Sequence, residues 1–218
     1  MSTVILVAGK VLPQYIDALI EQLKPVEHKI ASLWDDEDPV YVKRLIDNNF
    51  LVTTSDHNVK PGEIHQSIPI ARGVQFANEL GHACILRTRF DILCSNWTQY
   101  MRVAKPMYDE RLTAICGIGN YFLDWVVAGR TEDMCRTYTI MHSNPPTHIE
   151  LFLMDNYVGK RISSQDEIRA ALHFTVNLCR QHGIEFTLFR KPDWAAPNRT
   201  IPNMRVINEY CTEPHAWS

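Results

Sequence analysis

The chain has 218 residues, with 22 Lys and Arg against 25 Asp and Glu, a formal charge of −3 when the nine histidines are neutral. A protein that works by neutralising phosphates along a duplex carries a basic excess or a Lys/Arg-rich face, so nucleic acid is not an expected partner. At 45% apolar and 22% charged, with eight Phe, eight Tyr and five Trp, the chain can bury enough surface to offset its conformational entropy, and a single globular domain over residues 1–218 is expected.

The longest apolar stretches, such as Val4 to Ala8 and Trp125 to Ala128, fall far short of the roughly 20 residues of a membrane-spanning helix. Met1-Ser2-Thr3 leads into a strand-like run without the features of a secretory signal. Six cysteines, at 84, 94, 116, 135, 179 and 211, form no CxxC pair and read as reduced, mostly buried thiols, which points to the cytoplasm.

Val4-Ile5-Leu6-Val7 predicts a strand buried on both faces, and Gly9-Lys10 a tight loop after it. Pro13 opens a helix whose Ile16, Leu19, Ile20 and Leu23 recur at helical spacing before Pro25. A second strand, Lys29 to Trp34, runs into Asp35-Asp36-Glu37-Asp38, where Asp38-Pro39 reads as an N-cap and first helical position of a short helix to about Asn48. Phe50 to Thr54 predicts a third strand, closed by the turn formers Ser55-Asp56-His57-Asn58.

A helix over Ile68 to Leu80 with Gly81 as its C-terminal cap precedes a fourth apolar strand, Ala83 to Leu86, which runs into Arg87-Thr88-Arg89-Phe90-Asp91. A helix near Trp97 to Val103 follows, then strands at Leu112 to Cys116 and Phe122 to Val127 separated by Gly117-Ile118-Gly119-Asn120. Capping boxes at Thr147 to Glu150 and Ser164 to Glu167 predict two more helix starts, the second helix ending at Gly183 and leading to a strand over Ile184 to Phe189. Residues 191–218, with four prolines and no clear period, predict an irregular wrapping segment. Alternation of strand and helix argues for an α/β fold with a mainly parallel, mixed sheet flanked by helices.

Ligands of such sheets bind at the carboxyl ends of the strands. Those ends are Ala8 to Lys10, Asp35 to Asp38, Thr54 to Asp56 and Arg87 to Asp91, and three of the four carry acids. In Arg87 to Asp91, strand alternation places two guanidiniums and a carboxylate on one face. That grouping fits an anionic ligand held with Mg²⁺ or Mn²⁺, and it equally fits a structural Arg–Asp ion pair. No GxGxxG or GxxxxGK[ST] motif is present, and no histidine spacing matches a zinc site.

Gln66, Gly73 and Leu86-Arg87-Thr88-Arg89-Phe90-Asp91-Ile92 resemble the WavE-like glycosyltransferases of lipopolysaccharide and capsule synthesis, in which a helix with a Gln and a Gly precedes a strand ending in Leu-Lys/Arg-x-Arg-x-Asp-Leu/Ile. Asp124 to Met134 is similar to that family's Asp-x-x-x-x-Gly segment and acidic helix start, and the order of elements resembles that of GT-A glycosyltransferases, including the glycosyltransferase domains of large algal-virus proteins that build capsid glycans. The resemblance covers about half of the chain. It departs from the family where Arg89 replaces the first acid of the DxD motif and Ile64-His65 replaces an Asn-Arg pair.

The resemblance implies a GT-A-like three-layer fold and an enzyme that moves a sugar from a nucleoside diphosphate donor, UDP-linked, to a glycan acceptor. Asp91 would hold Mn²⁺ or Mg²⁺, while Ala8, Gly9, Lys10, Asp35, Arg72, Arg87 and Arg89 would bind the donor. Asp124 would be the base, with Asp133 as the alternative. It also implies a chain that can be one part of a longer polypeptide, working in the cytoplasm of a host if viral. The rival readings are a sugar-nucleotidyltransferase, against which the lack of a Gly-rich phosphate loop after the first strand counts, and a silent nucleotide-sugar- or glycan-binding module.

Overall fold

A computed structural model describes residues 2–57, 64–109, 113–114, 117–118, 121–122, 126–143, 177–188 and 204–206. The strands are β1 (Thr3–Ala8), β2 (Lys29–Trp34), β3 (Leu51–Ser55), β4 (Cys84–Thr88), β5 (Ile92–Cys94), β6 (Thr113–Ala114), β7 (Gly117–Ile118), β8 (Tyr121–Phe122), β9 (Val127–Arg130), β10 (Phe186–Leu188) and β11 (Met204–Val206). The helices are α1 (Ile16–Leu23), α2 (Pro39–Asp47), α3 (Ile64–Glu79), α4 (Trp97–Tyr108) and α5 (Thr131–Ser143). The main sheet has the order β3-β2-β1-β4-β9-β6; its first four strands are parallel, and β9 runs antiparallel to both β4 and β6.

Two apolar cores, one on each face of this sheet, make the molecule three-layered. Ile5 and Val7 of β1 pack with α1, Leu45 of α2 and Trp97 and Tyr100 of α4, whereas Val4, Leu6 and Ala8 pack with Ile70, Val74 and Ala77 of α3 and Met134 and Tyr138 of α5. The continuous apolar run of β1 is thus what a strand covered on both sides requires. All four periodic residues of α1 are buried. Asp38 caps α2 as its sequence predicts, Oδ1 accepting the Val40 amide at 2.8 Å with Pro39 in the first turn.

The helix before β4 starts at Ile64, four residues ahead of its expected start, and carries Pro69 inside it. Gly73 lets this helix lie against the sheet: a Cβ there would stand 2.5 Å from Leu6 Cδ1 and 2.8 Å from Ser32 Cβ. Gly81 ends the turn after α3 at φ +76°, a left-handed conformation that favours glycine.

The region after α4 departs from the expectation. Gly117-Ile118 does not merely separate two strands but pairs with Tyr121-Phe122 as β7 and β8, and the strand expected at Phe122 to Val127 lies instead at Val127–Arg130. Within the expected wrapping segment, Met204–Val206 forms β11, parallel to β10. β10 in turn pairs antiparallel with β5. The capping boxes at Thr147 and Ser164 lie outside the described residues; of the helix expected before Gly183, residues 177–181 are helical. No helix among the described residues is long and apolar enough to cross a membrane.

Two measurements probe this packing. Gly73→Ala must displace Leu6 or β2, and overpacking of that kind costs about 1–3 kcal/mol, read as a lower urea midpoint at unchanged m. At the amino end of the sheet, the His82 ring lies 5.0 Å from that of His28 and its Nδ1 is 3.1 Å from Ser2 Oγ. Burial first, and His28 second, lower the pKa of His82 below 6.5. The unfolded chain therefore binds this proton first as pH falls; the contribution is complete above about pH 6.5 and is lost below it. His82→Gln should flatten the dependence of unfolding free energy on pH in that window, and an unchanged slope would assign the dependence elsewhere.

Candidate functional site

Parallel pairing of β1 and β4, with Leu6 opposite Arg87 and Val7 opposite Thr88, sets the loop after β1 beside the segment after β4. The result is a recess of about 30 Å³ lined by Ala8, Gly9, Lys10, Leu12, Arg87, Arg89, Phe90 and Asp91. Six of the predicted site residues, Ala8, Gly9, Lys10, Arg87, Arg89 and Asp91, therefore come together. Its volume suits one small group, and the base and sugar of a nucleotide would lie outside it.

β4 ends at Thr88, so strand alternation does not extend to Asp91. Arg87 shares the face of Ile85, Leu6 and Val127, towards α3 and α5, and is 1% exposed. Arg89 and Asp91 lie beyond it in a turn in which the Ile92 amide donates to the Arg89 carbonyl at 3.3 Å, while Phe90 packs into the opposite core. Arg89 Nε donates to Asp91 Oδ1 at 2.9 Å and its Nη2 to Oδ2 at 2.6 Å. This bidentate pair is largely out of water, with Asp91 2% and Arg89 16% exposed.

That pairing bears on the expected metal. Among the described residues, Asp91 is the one carboxylate lining the recess, both of its oxygens accept from Arg89, and no group of three His, Cys, Asp or Glu side chains capable of holding a metal ion occurs. Mg²⁺ and Mn²⁺ sites commonly take one or two carboxylates together with substrate phosphates, and of the described lining Asp91, held by Arg89, is the residue that would supply the carboxylate.

Gly9 stands at φ +118°, with nothing within 4 Å of where its Cβ would be. Its need is conformational, not one of close approach. The Gly9 amide donates to the Ser32 carbonyl at 3.0 Å and the Val11 amide to Glu37 Oε2 at 2.8 Å. The Gly9 amide, at a position expected to approach the ligand, is thus already engaged, as is that of Val11, and an anion in the recess would meet the side chains of Lys10, Arg87 and Arg89.

The acidic run after β2 is divided among its neighbours. Asp35 Oδ1 accepts the His57 amide at 3.0 Å, Asp36 Oδ2 lies 2.6 Å from His57 Nδ1, Glu37 takes the Val11 amide, and Asp38 caps α2. The Trp34 and His57 rings stack with centroids 4.9 Å apart. Asp35 is exposed at the end of β2, outside the recess. Glu37 and His57 carry no local sequence signal for these contacts, since their partners lie 26 and about 20 residues away.

Two other predicted residues stand apart. Arg72 lies on α3 with its guanidinium 3.4 Å from Glu79 and over the Phe76 ring, and does not join the recess. Asp133 opens α5, which follows β9; because β9 is antiparallel to β4, Arg130 faces Cys84 and the Thr131 amide donates to the Ala83 carbonyl at 2.9 Å. Asp133 is therefore at the amino end of β4, the edge opposite Arg87, where it complements the helix dipole and lies 3.9 Å from Arg136. Asp124 lies outside the described residues. Among the described cysteines, burial raises the thiols of Cys84 and Cys179 to about 11 and that of Cys94 to about 12, away from the range of a reactive thiolate.

No protein-family model and no curated protein matches the sequence. Solved structures do. The 4-diphosphocytidyl-2C-methyl-D-erythritol synthase of Anaerococcus prevotii matches 79% of this chain and 96% of its own at 9% identity, with a TM-score of 0.50. A cytidylyltransferase of Leptospira borgpetersenii matches over 82% and 96% at 12% identity, with a TM-score of 0.47. The first likeness shows the fold, a Rossmann-like α/β sandwich with a mainly parallel mixed sheet, and is not specific to WavE-like or viral glycosyltransferases.

The Arg89–Asp91 pair yields a direct test. Arg89→Ala leaves a buried carboxylate uncompensated and should cost about 3–5 kcal/mol. Removing both charges, as Arg89→Ala with Asp91→Ala, should cost less than the single change in urea unfolding. A double variant less stable than Arg89→Ala would show that Asp91 has a second essential partner.

Proposed function

We propose that this chain is a nucleotide-sugar transferase whose recess at the carboxyl ends of β1 and β4 takes the phosphates of its nucleotide. The observation that carries this reading is the convergence of Lys10, Arg87 and Arg89 on one recess at the strand ends where ligands of parallel sheets bind. Two reactions release charge at such a place. In sugar-nucleotidyl transfer, a sugar phosphate oxygen attacks the α-phosphorus of a nucleoside triphosphate and pyrophosphate leaves. In glycosyl transfer, an acceptor hydroxyl attacks the anomeric carbon of a nucleoside diphosphate sugar and the diphosphate leaves.

Sugar-nucleotidyl transfer is placed first, because the fold likeness spans 79% of this chain whereas the WavE-like resemblance spans about half of it. Glycosyl transfer to a glycan is the second reading, favoured by Leu86 to Ile92. In both, Lys10 and Arg89 neutralise the departing phosphates, and Asp91 fixes the plane of the Arg89 guanidinium so that its fork is set before the ligand arrives. Arg87, buried at the sheet end, lines the same recess. Asp124 remains the proposed base of glycosyl transfer. Asp133, at the opposite sheet edge, is a poor second to it. No step is assigned to Mn²⁺ or Mg²⁺.

Thermal unfolding with CTP, UTP, dTTP and UDP-glucose, each with and without Mn²⁺, tests the reading, and stabilisation by at least one nucleotide is expected. Lys10→Ala should weaken that nucleotide about tenfold or more, the value of a charge-assisted phosphate contact. Pyrophosphate release with a sugar 1-phosphate identifies nucleotidyl transfer; UDP-glucose hydrolysis lost in Asp124→Asn identifies glycosyl transfer. A shift that requires Mn²⁺ and vanishes in Asp91→Ala would assign the metal to Asp91. Absence of stabilisation by every nucleotide would remove the proposal.

A further inference from the structure

The geometry points to Glu37 as a positioning residue for the loop between β1 and α1. The inference rests on the reading of the recess as a phosphate site. Gly9, Lys10 and Leu12 line that recess, and four hydrogen bonds to described residues hold the loop. At the front, the Gly9 amide donates to Ser32 of β2 at 3.0 Å; at the rear, the Leu12 carbonyl accepts the amides of Tyr15 and Ile16 at 3.0 and 3.2 Å. Between these, the Val11 amide donates to Glu37 Oε2 at 2.8 Å, while Glu37 Oε1 accepts the Asp38 amide at 3.3 Å.

The Val11 side chain is 1% exposed and anchored by packing. Packing of a side chain does not set the rotation of the peptide before it. The Val11 N–H belongs to the rigid plane that it shares with the Lys10 carbonyl, so the carboxylate of Glu37 fixes that plane and with it the direction in which Lys10 leaves the backbone. The neighbouring acids cannot substitute: Asp35 and Asp36 are turned to His57, and Asp38 is committed to Val40. Glu37 thus touches no ligand in this assignment and acts through Lys10.

The test uses the full chain with Glu37→Ala and Glu37→Gln, and two readouts. The first is amide hydrogen exchange at Val11 in the free protein, which should speed up about tenfold or more in Glu37→Ala and stay near wild type in Glu37→Gln, whose side-chain carbonyl still accepts. The second is affinity for CTP and for UDP-glucose, which should fall about tenfold in Glu37→Ala and be restored in Glu37→Gln. Glu37→Asp, one methylene shorter, replaces the alanine variant if that does not fold, with the same outcomes expected. Unchanged Val11 exchange would overturn the assignment whether or not nucleotide binds. Faster exchange with unchanged affinity would also overturn it. If the wild type binds none of CTP, UTP, dTTP and UDP-glucose, the phosphate reading fails, and Glu37 as the holder of the loop is judged on exchange alone.

Discussion

The register of β1 against β4 is the constraint on which the site depends. Backbone hydrogen bonds put Leu6 opposite Arg87 and Val7 opposite Thr88, and both strands then end at the same edge. A shift of one residue would turn Arg87 from the α3 face to the other face and move Ile85 out of its core. Burial of Val4 to Ala8 on both sides makes that slip costly. The positions of Gly9, Lys10 and Arg89 follow from apolar packing that has no chemistry of its own.

Charge at this edge is handled mostly in pairs. Asp91 is matched to Arg89, and the acids after β2 are matched to backbone amides or to His57. These contacts join the exits of β1, β2 and β3 through one short turn. The near-neutral total of 22 basic and 25 acidic residues thus reflects local matching at the very edge where a ligand is proposed to sit. Among the described residues, the recess gathers Lys10, Arg87 and Arg89 around Asp91.

Much of the fold was legible because local physics determines it. The apolar run of β1, the helical spacing of Ile16, Leu19, Ile20 and Leu23, the Asp38-Pro39 start and the Gly81 stop each reflect an interaction within a few residues. Pro69 obscured the first turn of α3, because a proline that interrupts the amide ladder reads as a boundary. β7, β8 and β11 are two or three residues long, too short to show alternation. The recess was legible because strand ends of a parallel sheet converge. The parts played by Glu37 and His57 were not, since a carboxylate in sequence does not reveal which distant amide it will accept. Arg72 was misplaced for a related reason: its helix was identified, but not the side of it that meets Glu79.

The pairing of β10 with β5 has a consequence in time. β5 begins directly after Asp91, and its partner strand among the described residues is Phe186–Leu188, which pairs Phe186 with Cys94. On a ribosome adding about 5–20 residues per second, that partner emerges on the order of 5–20 s after β5 does. The strand that extends from the recess must wait through this interval with an unpaired edge, while β1 to β4 can already assemble. The nascent protein is thus expected to acquire its sheet early and its finished site late, a period in which a chaperone or a second chain could find the open edge of β5.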